Sequence, residues 1–321
     1  MSQCEAVMSV SAERRASVIG WHGISVEVPR EWSFAAYSGD SKAGYFRVDG
    51  PTDTALEVKW TEEKGIPRLR KVLKDFEKRL ARSARKSGVS SVLREKPKPL
   101  SPLRIHDRVP ITFSWEAEQA GYGALWHCKE CRRIVLAQVV GRNQQQLGQT
   151  ALRILSTLHD HPEGPSATWS VYDLTFSAPK DMTMEKHQLR SGYISMELKR
   201  KGAILVVERW GLANLVLKRD TPSGWLSGAL FPRLKAYRYR KSEEGEMHGH
   251  PLTVFSGRRS GVRALLARAG TALIFRQSSD WLYGCGWHCP ESNRIYAVLA
   301  TASHGAAEQL ATEVALSTLC H

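Results

Sequence analysis

Apolar and polar residues alternate at every second position along much of this chain. "ISVEVP" (Ile24–Pro29) and "LTFSAP" (Leu174–Pro179) predict half-buried strands, each ended by a proline that cannot donate to a ladder. "GYFRVDGP" from Gly44 and "ALEVKWTE" from Ala55 continue the pattern, as do "GYISMELKRKG" from Gly192 and "AILVVERW" from Ala203. The period then changes. Ile66, Leu69, Val72, Leu73, Phe76 and Leu80 recur at three- and four-residue spacing, which predicts a long helix with Pro67 in its first turn and Gly88 at its end. The corresponding stretch "GWLSGALFPRLKAYRYRKS" is interrupted by Pro232 and predicts two shorter helical pieces. "VPITFSWEAEQ", "YGALWHC" and "RRIVLAQVV" predict three more strands, and "QQQLGQTALRILSTL" from Gln144 a closing helix. Short connections favour antiparallel pairing. The expectation is an α+β fold in which two main helices pack on an antiparallel sheet.

The pattern occurs twice. Trp126-His127-Cys128 matches Trp287-His288-Cys289, Glu130 matches Glu291, Arg133-Ile134 matches Arg294-Ile295, and "LSTL" recurs at Leu155 and Leu316. Trp21 answers Trp169, and Pro29 answers Pro179. The offset grows from 148 at Trp21 to 161 at Trp126, so the second copy carries extra residues between Trp210 and Trp287. Two duplicated domains follow, 1–162 with a short N-terminal tail and 163–321. The linker lies near 159–168, where "HDHPEGPSAT" concentrates turn residues. Copies of one unit have related surfaces, which predicts an intramolecular pseudo-dimer about a pseudo-twofold axis.

The element order, with a strand ending in "VPREW" from Val28, resembles the Mog1p/PsbP-like proteins. The second copy departs from it, because "APKDM" lacks the tryptophan. The resemblance implies a non-enzymatic binding role for tandem domains and names no ligand.

Charge adds a partner class. Lys and Arg number 46 against 32 Asp and Glu, for a net charge of +14 and a pI near 9.6. That excess favours an anionic partner: a nucleic acid, an acidic protein surface or a phosphorylated membrane, among which charge alone does not choose. The first long helix concentrates Arg68, Arg70, Lys71, Lys74, Lys78, Arg79, Arg82, Arg85 and Lys86. The second copy offers Arg233, Lys235, Arg238, Arg240 and Lys241, interleaved with Tyr237 and Tyr239. Basic side chains neutralise phosphates, and tyrosines stack on unpaired bases. A solvated polar face is the plainer reading of the same residues. No stretch is apolar enough for a signal peptide or a membrane span, so a cytoplasmic protein is expected.

Candidate chemistry is sparse. Cys128-x-x-Cys131 straddles a predicted hairpin tip, a geometry that zinc sites use, and Cys285 and Cys289 supply the two further ligands if the two hairpins meet across a pseudo-twofold axis. Only Cys128 and Cys289 are shared between copies, which favours packed core cysteines and no committed cofactor, with zinc as the alternative. "HDH" (His159, His161) and "HGH" (His248, His250) sit in polar surroundings and read as solvated loop histidines. The chain has no nucleophile elbow, phosphate loop, dinucleotide fingerprint or His-Glu-x-x-His motif. The expectation is therefore a binding or assembly protein, ahead of a zinc-stabilised nucleic-acid-binding protein and, more distantly, a hydrolase without a recognisable motif.

Overall fold

The computed structural model describes residues 16–51, 53–106, 108–142, 144–243, 245–260 and 280–321. The expected N-terminal tail lies outside them. Two compact units divide the chain, residues up to Tyr172 and residues from Asp173 on.

In the first unit the strands are β1 (Ala16–Trp21), β2 (Ile24–Pro29), β3 (Ser33–Gly39), β4 (Ala43–Asp49), β5 (Ala55–Glu62), β6 (Val92–Glu95), β7 (Ile111–Glu116), β8 (Ala120–His127), β9 (Arg133–Gly141) and β10 (Ser166–Val171). Seven of them form one antiparallel sheet in the order β3-β4-β5-β9-β8-β7-β6, and β1 pairs with both β2 and β10. Helix α1 (Leu69–Lys86) follows β5, and α2 (Gln144–Leu155) follows β9. Side chains alternate across a strand. On one face Leu73 of α1 is buried with Phe113, Trp115 and Leu125, flanked by Leu69, Val72, Phe76 and Leu80. Each fully buried side chain of this kind contributes roughly 1.5–3 kcal/mol. Helix α1 ends at Gly88, whose φ of 74° is the left-handed conformation that glycine adopts without strain. Helix α2 packs on β8 and β9, with Leu147, Ala151, Ile154 and Leu155 buried.

The second unit contains β11 (Leu174–Pro179), β12 (Thr183–Arg190), β13 (Tyr193–Arg200), β14 (Ala203–Gly211), β15 (Tyr237–Ser242), β16 (Glu246–Met247), β17 (His250–Arg259), β18 (Trp281–Cys289) and β19 (Arg294–Ala302). Its sheet runs β12-β13-β14-β19-β18-β17-β15, with β16 paired to β17. The serial arrangement matches that of the first unit, with the last strand, β9 or β19, again inserted beside the third, β5 or β14. Helices α3 (Ala213–Val216), α4 (Pro222–Leu234) and α5 (Ala306–Ser317) complete it. Thr221 caps α4 by accepting from Gly224 N at 3.1 Å. Leu226, Leu230 and Leu234 of α4 are buried on Val206, Phe255, Leu282 and Leu299. Leu310, Ala311 and Val314 of α5 face β18 and β19.

The expected fold class, α+β with two main helices packed on each sheet, is overturned. Strand makes up 49% and helix 21% of the described residues, in three large antiparallel sheets with five helices. Two physical causes account for the difference. Edge strand β12 is wet on both faces and β3 buries only Phe34, so both lack the alternation that marks a half-buried strand. The stretch read as a helix after Pro232 is instead β15, whose backbone is satisfied by pairing with β17 from Tyr237↔Arg259 to Ser242↔Val254. Helix α4 runs through Pro232 in its last turn before it ends at Leu234.

Candidate metal centres and a basic helix

Strand β8 delivers Trp126 to the interior, and Cys128 follows at the hairpin tip with its N–H donating to Arg133 O at 2.9 Å. Strand β18 delivers Trp287 and Cys289 in the same way. Both tips turn through a left-handed residue, Arg132 at φ 55° and Asn293 at φ 53°, 161 positions apart.

Around each cysteine the chain gathers other ligand-type side chains. In the first unit Cys128, Cys131, Asp160 and His161 bring their donor atoms within 4.8 Å of one another. His161 Nδ1 lies 3.5 Å from Cys128 Sγ and 2.5 Å from Asp160 Oδ1, while its Nε2 is 3.0 Å from Glu130 Oε2. Asp160 is fully buried and accepts from Trp126 Nε1 at 2.6 Å, and His106 Nε2 stands 3.1 Å from its Oδ1. Burial pushes the Cys131 thiol up to about 12, and the Asp160 charge adds to the shift.

In the second unit the donor atoms of His250, Cys289, Cys320 and His321 likewise lie within 4.8 Å of one another. His321 Nδ1 is 3.6 Å from Cys289 Sγ and 3.2 Å from Cys320 Sγ. Cys289 Sγ is also 3.3 Å from Glu291 Oε2, the residue that corresponds to Glu130. His250 is 6% exposed, and its Nε2 is buried without a hydrogen bond. Burial pushes the Cys320 thiol up to about 11, with neighbouring Cys289 reinforcing it. Thiolates, imidazoles and a carboxylate in such groups form the donor chemistry of zinc-type ions.

Three of the four candidate cysteines, Cys128, Cys131 and Cys289, stand in these clusters. Cys285 lies on β18 outside the cluster around Cys289, beside Thr312 and Glu308, and burial pushes its thiol up to about 12. The histidines read as solvated loop residues are placed otherwise: His161 and His250 stand among cysteines, and His248 Nε2 contacts Ala315 O at 2.9 Å. His159 is half exposed and pairs with Glu163 at 3.2 Å. Cys320, His321 and Asp160 drew no notice from sequence. The available signal was a separation: His161 follows Cys128 by 33 residues, and His321 follows Cys289 by 32.

The basic residues divide. Arg68, Arg70, Lys71, Lys74, Lys78, Arg79, Arg82, Arg85 and Lys86 are all exposed. Arg70 pairs with Glu95 at 3.1 Å and Lys78 stands 3.9 Å from Asp75; the other seven have no carboxylate within 4 Å among the described residues. Lys71, Lys74, Lys78, Arg82 and Arg85 follow spacings of 3, 4, 4 and 3, so they share the helix face opposite the core. At 1.5 Å per residue that stripe is about 21 Å long.

The second basic set does not form a helix face. Arg233 alone lies in α4, and it turns inward, donating to Glu208 from Nε at 3.1 Å and Nη2 at 2.8 Å. Glu208 is 2% exposed and also accepts from Tyr193 Oη at 2.5 Å and Ser195 Oγ at 3.1 Å. Burial opposes the Arg233 charge, but the hydrogen bond and charge of Glu208 more than offset it, so its pKa is raised. Lys235 follows α4, and Arg238, Arg240 and Lys241 sit on the edge strand β15. Charges there discourage strand addition by another chain.

Among the described residues, no helix is long and apolar enough to cross a membrane. No protein-family model matches this chain, and no curated protein matches it either.

Proposed function

We propose that this chain is a non-enzymatic binding and assembly protein, built from two copies of one β-rich unit, that engages nucleic acid through the basic face of α1. The observation that carries the reading is the stripe of Lys71, Lys74, Lys78, Arg82 and Arg85, exposed on one helix face with only Lys78 near a carboxylate. Like charges at i,i+4 destabilise a helix by roughly 0.2–0.5 kcal/mol per pair. A face arranged only for solubility would mix signs, whereas phosphates relieve this repulsion and release counterions. The copied Trp-His-Cys turns support the duplication. The resemblance to Mog1p/PsbP-like proteins points to a binding role as well.

Fluorescence anisotropy with labelled single-stranded RNA and duplex DNA tests the reading. Five phosphate contacts give a log–log salt slope of about −4.5 on duplex and −3.5 on single strand. The double variant Lys74→Gln/Arg82→Gln makes that slope shallower by about 1.8 on duplex and about 1.4 on single strand. Binding that is absent at micromolar protein in low salt, or equal in wild type and variant, ends the proposal.

A further inference from the structure

The two cysteine clusters have no role in nucleic-acid binding by α1, yet they recur at the same place in both units. In a tetrahedral site with metal–sulfur bonds of about 2.3 Å and metal–nitrogen bonds of about 2.0 Å, sulfur and nitrogen ligands stand ~3.6 Å apart. The observed Sγ···Nδ1 separations are 3.5 Å in the first unit and 3.2 and 3.6 Å in the second. In the first unit His161 Nδ1 and Asp160 Oδ1 are hydrogen-bonded at 2.5 Å, a pair that metal binding opens to about 3.3 Å. Two thiols and two imidazoles in one pocket compete for few acceptors, and His250 Nε2 is left without a hydrogen bond, 3.6 Å from Glu291 Oε2, although its residue is more than nine-tenths buried. A divalent cation satisfies all four donors at once.

We propose that each unit binds one zinc-type divalent ion at the turn that follows its Trp-His-Cys strand. In the second unit the ligands are His250, Cys289, Cys320 and His321, a closed two-cysteine, two-histidine set. In the first they are Cys128, Cys131, Asp160 and His161. Binding releases the thiol protons to solvent and oxidises nothing. The first site also has an outer partner, because Glu130 stands at the far nitrogen of His161, where a carboxylate fixes the ring so that Nδ1 faces the metal. Four-ligand closure makes both sites structural, clasping the loop after the last helix of each unit to the hairpin tip. In this assignment the shared cysteine is a ligand in both copies, and its partners have diverged.

The experiment uses the full chain, purified without chelator and analysed for metal by mass spectrometry. Two equivalents per chain are expected, falling to one in Cys320→Ser and in Cys131→Ser. The stripped wild-type protein, checked for folding by circular dichroism, is titrated with Co(II). Thiolate-to-cobalt bands saturating at two equivalents are expected, and His321→Ala, at an exposed position, weakens one of the two sites by at least about tenfold in chelator competition. Absence of those bands in folded wild-type protein overturns the proposal. So does metal content unchanged in the two cysteine variants, or a Cys289–Cys320 disulfide without bound metal.

Discussion

Removing Arg233 leaves a buried carboxylate without its counter-ion, and the double-mutant cycle with Glu208 measures what that pair contributes. Glu208 is 2% exposed, and four donated hydrogen bonds reach it, two of them from Arg233. Breaking a fully buried ion pair from one side costs about 3–5 kcal/mol. Two features lower that figure here. Tyr193 and Ser195 keep donating to Glu208, and the Arg233 side chain is 31% exposed, so part of its charge is already solvated. Arg233→Met is therefore expected to destabilise the second unit by about 3 kcal/mol, and Glu208→Leu by about 2, because a freed Arg233 turns toward water and Glu197. The double variant removes the orphaned charge and restores apolar packing under α4, for a loss of only about 1–2 kcal/mol. The coupling is then about 3–4 kcal/mol, well outside the ~0.5 kcal/mol scatter of independent sites. Urea unfolding followed by circular dichroism and tryptophan emission supplies the three differences. Additive losses, or an Arg233→Met variant as stable as wild type, would refute the reasoning.

Gly44→Ala places a methyl group 2.3 Å from the ring of fully buried Trp60 and is expected to cost about 1–3 kcal/mol in denaturant titration. Gly228→Ala meets nothing within 4 Å in the middle of α4 and should stabilise by about 0.5–1 kcal/mol. Arg132→Asn relieves a left-handed backbone that a long side chain tolerates poorly, raising Tm by an amount corresponding to about 0.5–1 kcal/mol, as calorimetry would register. The Cys285 thiol is raised from an ordinary 9.0 to about 12, so the folded state holds a proton that the unfolded chain gives up first. Its contribution is complete below pH 9 and is lost between pH 9 and 12. Cys285→Ala should flatten that alkaline decline in stability, and an unchanged profile would contradict it.

Much of the fold was legible along the chain. The strands now labelled β2, β4, β5, β8, β9, β11, β13 and β14, and helix α1, stand where periodicity places them, because one buried face imposes a period of two on a strand and 3.6 on a helix. Other elements carried no such mark. In β12, "TMEKHQLR" is almost wholly solvated, so the sheet edge that pairs it with β13 is invisible to hydrophobicity. In "RLKAYRYRKS", charges alternate with aromatics in a way that helix and strand share, and pairing with β17 decided for strand.

The sites divide along the same line. By itself the sequence determined that a Trp-His-Cys stretch recurs and that α1 carries an unbalanced basic face, since both are properties of neighbouring residues. Only the tertiary structure decided that Arg233 turns inward to Glu208. It alone brought His161 to Cys128 across 33 residues and His321 to Cys289 across 32. Side chains that converge after a hairpin and a helix have closed a loop are neighbours in space by the path of the backbone. A pattern read over a few adjacent positions has no term for that path.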